Sequence, residues 1–266
     1  MVILTALAWF MLFPAGQTST TNSEDLTALL EKASRVQTAD IVAWRNYRFQ
    51  RSSFREDRDE AGGVKSTEWL VFTVTPRGDA FEEKLFRIDG RQPTGSEVAR
   101  FRSQGPFTKH YRILVEESGK EKENFTMTQF FRMSSYRYRG RETINGVLCH
   151  RIDFTPTSIR GAGGLAGKLV KVMEGSLWIT VGGLHLARAK ARTVEPVSLA
   201  MFLVKIHALD VKLEAGPVEA GLWLPREIDL KDRVRTLFTS RQRHRILRYS
   251  EFTPMPVSTS PLPEER

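Results

Sequence analysis

Cys149 and His150 stand side by side, and a thiol next to an imidazole is the smallest arrangement that makes a nucleophile. On an extended strand, adjacent side chains point to opposite faces, so this pair does not meet. Cys149 is the single cysteine, which excludes a disulfide within the chain and reads as a packed strand residue. The histidines His110, His150, His185, His207 and His244 are isolated, without His-x-His or His-Glu-x-x-His spacing, so no metal is expected. No Gly-x-Ser-x-Gly elbow occurs, and the glycines from Gly161 to Gly167 lack the Gly-Lys-Ser/Thr ending of a phosphate loop. No catalytic residue and no cofactor are expected. A hydrolase would need His150, Asp153 and a serine gathered in one cleft.

The arginines form two clusters. One holds Arg132, Arg137, Arg139 and Arg141, the other Arg233, Arg235, Arg241, Arg243, Arg245 and Arg248. Arg241, Arg243 and Arg245 fall on one strand face and would make a basic stripe on a solvated surface, suited to docking on an anionic membrane or an acidic partner. Nucleic acid could use such a stripe as well. Export, argued below, removes that target, and no nucleic acid is expected.

The aromatic residues point to a different chemistry. Tyr47, Phe49, Trp69, Phe86, Tyr136, Tyr138, Phe154, Trp178, Ile228 and Phe238 are expected to line an apolar pocket. Trp69 and Trp178 lead this set, since large rings at strand centres line a cavity and still pack. The same side chains would otherwise form a plain core beneath helices.

The elements that must position these residues are mostly strands. From Tyr136 to Pro156 the sequence reads as two strands around Asn145-Gly146, a pair suited to a turn with positive φ at both residues. Tyr136 and Tyr138 alternate with Arg137 and Arg139, and His150, Ile152 and Phe154 share a face opposite Cys149, Arg151 and Asp153. Similar strands are expected at Tyr47–Gln50, Thr67–Pro76, Phe81–Ile88, Leu169–Met173, Gly175–Val181, Leu203–Leu213, Trp223–Lys231 and Thr236–Phe252. From Leu184 to Val194, His185, Ala187, Ala189 and Ala191 are expected on one inner face that leaves room for a helix or a ligand. Thr21 to Glu24 fits a capping box, and Leu26, Leu29, Leu30, Ala33 and Val36 then mark an amphipathic helix of about four turns. Thr94 to Glu97 repeats that spacing before a short second helix.

Residues 1–13 are apolar and uncharged, small residues follow, and Glu24 is the first charge. This reads as a secretory signal peptide, and the run is shorter than the ~20 residues that a spanning helix needs. The chain has 266 residues with 16 Phe and 5 Trp, enough for a sizeable core, and a net charge of +9. The expected organisation is a signal peptide at 1–19, one domain at 20–252 and a disordered Pro/Ser-rich tail at 253–266.

The order of these pieces resembles the LolA/LolB-type bacterial lipoprotein carriers, in particular the outer membrane lipoprotein-sorting proteins of their wider superfamily. The resemblance rests on the amphipathic helix Leu26 to Val36, an aromatic strand ending Thr75-Pro76-Arg77-Gly78-Asp79, and Ile88-Asp89-Gly90-Arg91 before a short helix. It continues with Ile144-Asn145-Gly146-Val147, Phe154-Thr155-Pro156, Gly175-Ser176-Leu177-Trp178-Ile179 and Gly221-Leu222-Trp223-Leu224-Pro225. It covers roughly Leu26 to Phe252. Such a resemblance implies a mainly β (α+β) fold: a single long curved antiparallel sheet, an incomplete barrel wrapped around helices, with an apolar concave face that takes acyl chains. It brings no catalytic residue and no metal.

The expectation is therefore a non-catalytic periplasmic carrier or binding protein, not an enzyme, monomeric, whose partners are lipid acyl chains or a lipidated protein. An inner-membrane protein complex is a further partner in the alternative reading, an envelope sensor or interaction module of the same fold. A periplasmic hydrolase is the second alternative.

Overall fold

The computed structural model describes residues 23–78, 80–101, 107, 134–157, 168–169, 171–199, 204–236 and 239–255. Helix α1 (Ser23–Ala43) runs into a short 3-10 turn (Trp44–Asn46) and then into strand β1 (Tyr47–Arg58). β2 (Val64–Arg77) and β3 (Ala80–Ile88) complete a meander, and the short helix α2 (Gly95–Arg100) follows. Then come β4 (Ser134–Ile144), β5 (Val147–Pro156), β6 (Met173–Thr180), β7 (Leu186–Thr193) and the three-residue β8 (Val197–Leu199). β9 (Val204–Glu219), β10 (Leu222–Thr236) and β11 (Ser240–Pro254) are the longest, at 15 or 16 residues each.

All the strands belong to one 11-stranded sheet in the order β3-β2-β1-β11-β10-β9-β7-β6-β5-β4, with β8 paired to β9 off this path. Every pairing is antiparallel, and β3 and β4 lie at opposite edges, so the sheet is not closed into a barrel. This bears out the mainly β, open-sheet fold expected from the sequence.

Local chemistry explains the turns. The β4–β5 hairpin turns at Asn145 (φ 50°) and Gly146 (φ 82°), the left-handed pair that a type I′ turn demands. Thr94 caps α2: its hydroxyl accepts from the Glu97 N–H, while the Glu97 carboxylate accepts from the Thr94 N–H. Helix α1 buries Leu30, Ala33, Gln37 and Asp40, a stripe at helical spacing that turns from apolar to polar along its length. The sequence pattern placed Val36 in that stripe; Gln37 takes the place, and Val36 is half-buried.

Other boundaries differ from expectation. β9 runs straight through Gly216 and Pro217, and the chain turns at Gly221 (φ 78°). The pairing of β6 with β7 shifts between Trp178 and Ile179. That shift breaks the alternation of the alanine strand: Ala189 and Ala191 join the main core, while Ala187 packs on the other face with Trp178 and Cys149. Of the expected strand Leu169–Met173, Leu169 is helical, Lys171 and Val172 form a turn, and Met173 opens β6.

Candidate functional site: the two faces of the sheet

Antiparallel partners share a face, so the registers trace rows of side chains across the sheet. One row on the concave face reads Tyr136, Phe154, Gly175, Ala191, Val211, Leu230, Arg245, Arg55 and Glu68. The next row reads Tyr138, Ile152, Leu177, Ala189, Leu213, Ile228, Leu247, Ser53, Leu70 and Ile88. Tyr136, Phe154, Ala191, Val211 and Leu230 of the first row, and Ile152, Leu177, Ala189, Leu213, Ile228, Leu247, Leu70 and Ile88 of the second, belong to one apolar cluster that includes Leu30 on α1. Phe154 lies flat over Gly175: a Cβ there would stand 2.7 Å from the Phe154 ring and 2.0 Å from the Lys190 carbonyl. Glycine is the residue that lets the ring approach.

The expected pocket residues divide between the faces. Tyr47, Phe49, Tyr136, Phe154 and Ile228 are buried together on the concave side. Tyr138 shares their face but lies in edge strand β4, 43% exposed, with its hydroxyl 3.0 Å from His150 Nδ1. Trp69 and Phe86 are 47% and 50% exposed, and Trp69 opposes Phe54 on the convex side. Trp178 is buried, but on the convex side, where it opposes Arg151 and Arg188. Arg151, Arg188 and Lys190 lie within 5.7 Å of its ring centre, and its indole N–H donates to Glu142 at 3.0 Å. Phe238 lies outside the described residues.

The basic stripe is placed on the concave side. Arg241, Arg243 and Arg245 do share one face of β11, but Leu247 and Tyr249 share it too, and that face is the core side. Arg241 is exposed, whereas the side chains of Arg243 and Arg245 are 18% and 12% exposed. Arg243 donates through Nε and Nη2 to one oxygen of Asp232, at 3.1 and 3.0 Å. Asp232 is fully buried on β10, between Leu230 and Val234. Sequence reasoning passed over it, although a carboxylate at core spacing between two apolar residues is a readable signal.

Two further buried polar contacts hold the concave side. Arg51 donates to Glu83 at 2.7 Å and stacks over Phe72 at 4.5 Å, and the other Glu83 oxygen accepts from the Phe107 backbone N–H. Asp40 ties α1 to the rim: one oxygen lies 2.7 Å from His185 Nδ1, and the other accepts from the Trp223 N–H at 3.4 Å. The His185 and Trp223 rings stack with planes 13° apart. Burial raises the Asp40 carboxyl above its ordinary value in spite of His185. Burial also pushes the phenols up, Tyr249 to about 12 and Tyr136 well above its ordinary range; burial and Glu219 take Tyr47 to about 12.

Among the described residues, the His150, Asp153 and serine of the hydrolase alternative are not gathered in one cleft. His150 shares the concave face with Ile152, while Asp153 faces the convex side and accepts from Ser176 at 2.7 Å and from Arg139 at 2.6 Å. His150, Asp153 and Ser176 therefore do not form a relay. Burial raises the Cys149 thiol, which is fully buried and 3.4 Å from the Val147 carbonyl. Among the described residues no cluster of three His, Cys, Asp or Glu could hold a metal ion. The convex side carries a charged cleft of about 580 Å³, lined by Asp153, Ser176, Lys190, Lys212, Asp229 and others. No helix among the described residues is long and apolar enough to cross a membrane.

No protein-family model and no curated protein matches the sequence. Solved structures with similar folds do exist. A DUF1329 family protein from Desulfovibrio piger is 11% identical with a TM-score of 0.30, covering 85% of this chain and 94% of its own. An outer membrane lipoprotein-sorting protein domain from Vibrio parahaemolyticus is 9% identical with a TM-score of 0.33, covering 85% and 92%. The Mycobacterium tuberculosis lipoprotein LppX is 14% identical with a TM-score of 0.30, covering 88% and 98%.

Proposed function

We propose that the protein is a non-catalytic carrier or binding protein that holds an acyl chain, free or attached to a protein, against the concave face of its sheet. The observation that carries this reading is the contiguous apolar face of a sheet that does not close. A single-layer sheet must cover its apolar side with something. Here α1 and Phe107 belong to the cover, and α1 meets the sheet through Leu30, Ala33 and the Asp40 contacts at the rim. An acyl chain competes for the same surface, with burial contributing about 25 cal/mol per Å² of apolar area. Entry therefore requires the cover to shift. The proposed setting is the periplasm, with residues 1–19 as the export signal and a binding domain that includes β11 as far as Pro254, two residues beyond the expected boundary at 252.

The test is native mass spectrometry of protein purified without detergent, followed by organic extraction and titration with a pyrene-labelled fatty acid. A co-purifying acyl species, or saturable pyrene binding that the extracted lipid displaces, is the expected result. Protein that carries no acyl species and fails to bind the probe would overturn the reading.

A further inference from the structure

Arg245 is the one member of its row that breaks the chemistry of its neighbours. On one side stand Leu230, Val211 and Ala191; on the other stands a second arginine, Arg55. Its Nε and Nη2 atoms are buried, and neither has a hydrogen-bond partner. The nearest carboxylate oxygen, Asp232 Oδ1, lies 3.8 Å away, beyond hydrogen-bond reach, while the other Asp232 oxygen is taken by Arg243. Arg55 gives its own donors to Asp57. Three guanidinium groups thus crowd one carboxylate, and the middle one faces Asp232 at 3.8 Å without a hydrogen bond to it. Burial first, then Arg243 and Arg55, pull the Arg245 pKa down to about 10, so its charge is held at a cost.

A buried guanidinium whose donors make no hydrogen bond is rare, because an apolar residue of similar volume is usually at least as stable there. A planar guanidinium with two free donors matches a phosphate or carboxylate. The row supplies the rest of a ligand's outline. From Phe154 to Arg245 there are five strand steps, on the order of 24 Å along the sheet, of apolar and small side chains.

We propose that Arg245, flanked by Arg55 and Arg243, is an anion socket that takes the phosphate or carboxylate group of an amphiphile whose chain lies along the apolar half of the same row. This inference rests on the acyl-binding reading and assigns its polar end. The ligand is then an anionic lipid or fatty acid rather than a neutral one.

The test uses the full chain and two probes: a pyrene-labelled fatty acid, which is anionic, and N-phenyl-1-naphthylamine, which is neutral. Arg245→Met is expected to weaken the fatty acid by about tenfold or more and to leave the neutral probe unchanged. Arg245→Lys keeps a cation without the planar fork and should fall between. Without ligand, Arg245→Met should melt no lower than the unaltered protein, since it removes a buried charge whose donors make no hydrogen bond and leaves Asp232 to Arg243. Unchanged fatty-acid binding in Arg245→Met, with the neutral probe still bound, would overturn the socket and leave the acyl reading standing. Loss of both probes with a lowered melting temperature would mark the guanidinium as structural and likewise overturn it. Inorganic phosphate separates the sources. Phosphate that stabilises the unaltered protein but not Arg245→Met, with no fatty-acid binding, would keep the socket and remove the acyl chain. Failure of the unaltered protein to bind either probe or phosphate would overturn both.

Discussion

Along one row of the sheet, from Tyr136 to Glu68, the two halves wear opposite faces. Across β4 to β10 the concave row is apolar, from Tyr136 to Leu230, and the convex row behind it is polar: Asp153, Ser176, Lys190, Lys212 and Asp229. Across β11, β1 and β2 the same two rows exchange character. The concave side becomes Arg245, Arg55 and Glu68, and the convex side becomes Ile246, Phe54 and Trp69. One sheet thus offers a greasy floor that ends abruptly at a charged wall. The period of two is kept throughout; what changes is which phase of it is apolar. A surface built this way suits a molecule with two ends more than a uniformly apolar one.

The largest expected effect separates the halves directly. Phe154→Ala should cost about 3–5 kcal/mol in urea denaturation, because the ring is buried on Gly175 and leaves a cavity. The equivalent truncation in the other half, Arg55→Ala, should cost less than about 1 kcal/mol, as its side chain is 46% exposed. Equal costs would erase the distinction.

A second experiment probes the charged wall alone. Asp232→Leu strands Arg243 and Arg245 and should cost about 3–5 kcal/mol, whereas the triple change Asp232→Leu, Arg243→Met, Arg245→Met should return close to the starting stability. A harmless single change, measured by the same denaturation, would mean that the carboxylate does not hold this end together.

The smallest perturbation reads the apolar floor without mutation. A phenol raised by folding contributes stability that is complete below its ordinary value near 10 and is lost as pH climbs through its folded value. Tyr47 and Tyr249, both pushed to about 12, and Tyr136, pushed well above its ordinary range by burial, should therefore stay protonated at about pH 10.5 and ionise as the protein unfolds in alkali. Absorbance at 295 nm follows this. Early ionisation of all three would show a concave face already open to water.

How much of this the sequence disclosed depends on which question is asked of each strand. The hairpin at Asn145-Gly146 and the alternation of His150, Ile152 and Phe154 against Cys149, Arg151 and Asp153 were legible, because turn chemistry and a period of two are local. Alternation does not say which face of one strand continues into which face of the next. Phe154 opposes Gly175, so Trp178, three residues on, falls on the far side, and only the register reveals it. The alanine strand misled for a related reason: an irregular pairing at Trp178 and Ile179 separates Ala187 from Ala189. Arg243 and Arg245 looked like surface charges because arginine usually is one. Their burial depends on Asp232, a residue some ten positions earlier on a neighbouring strand, and no local pattern couples the two.

The strand order carries a consequence for how the chain is made. β1 lies between β2 and β11, so residues 47–58 find their second neighbour in residues 242–254, the last of the described strands in chain order. Until then the β1–β3 meander and the β4–β10 section are separate pieces, each with an unpaired edge and an apolar side. β11 is the strand that fuses them, and it carries Arg243, Arg245, Leu247 and Tyr249 into the seam. A nascent chain must hold both pieces until β11 is made, and a cut before residue 240 would leave two half-sheets rather than a shortened one.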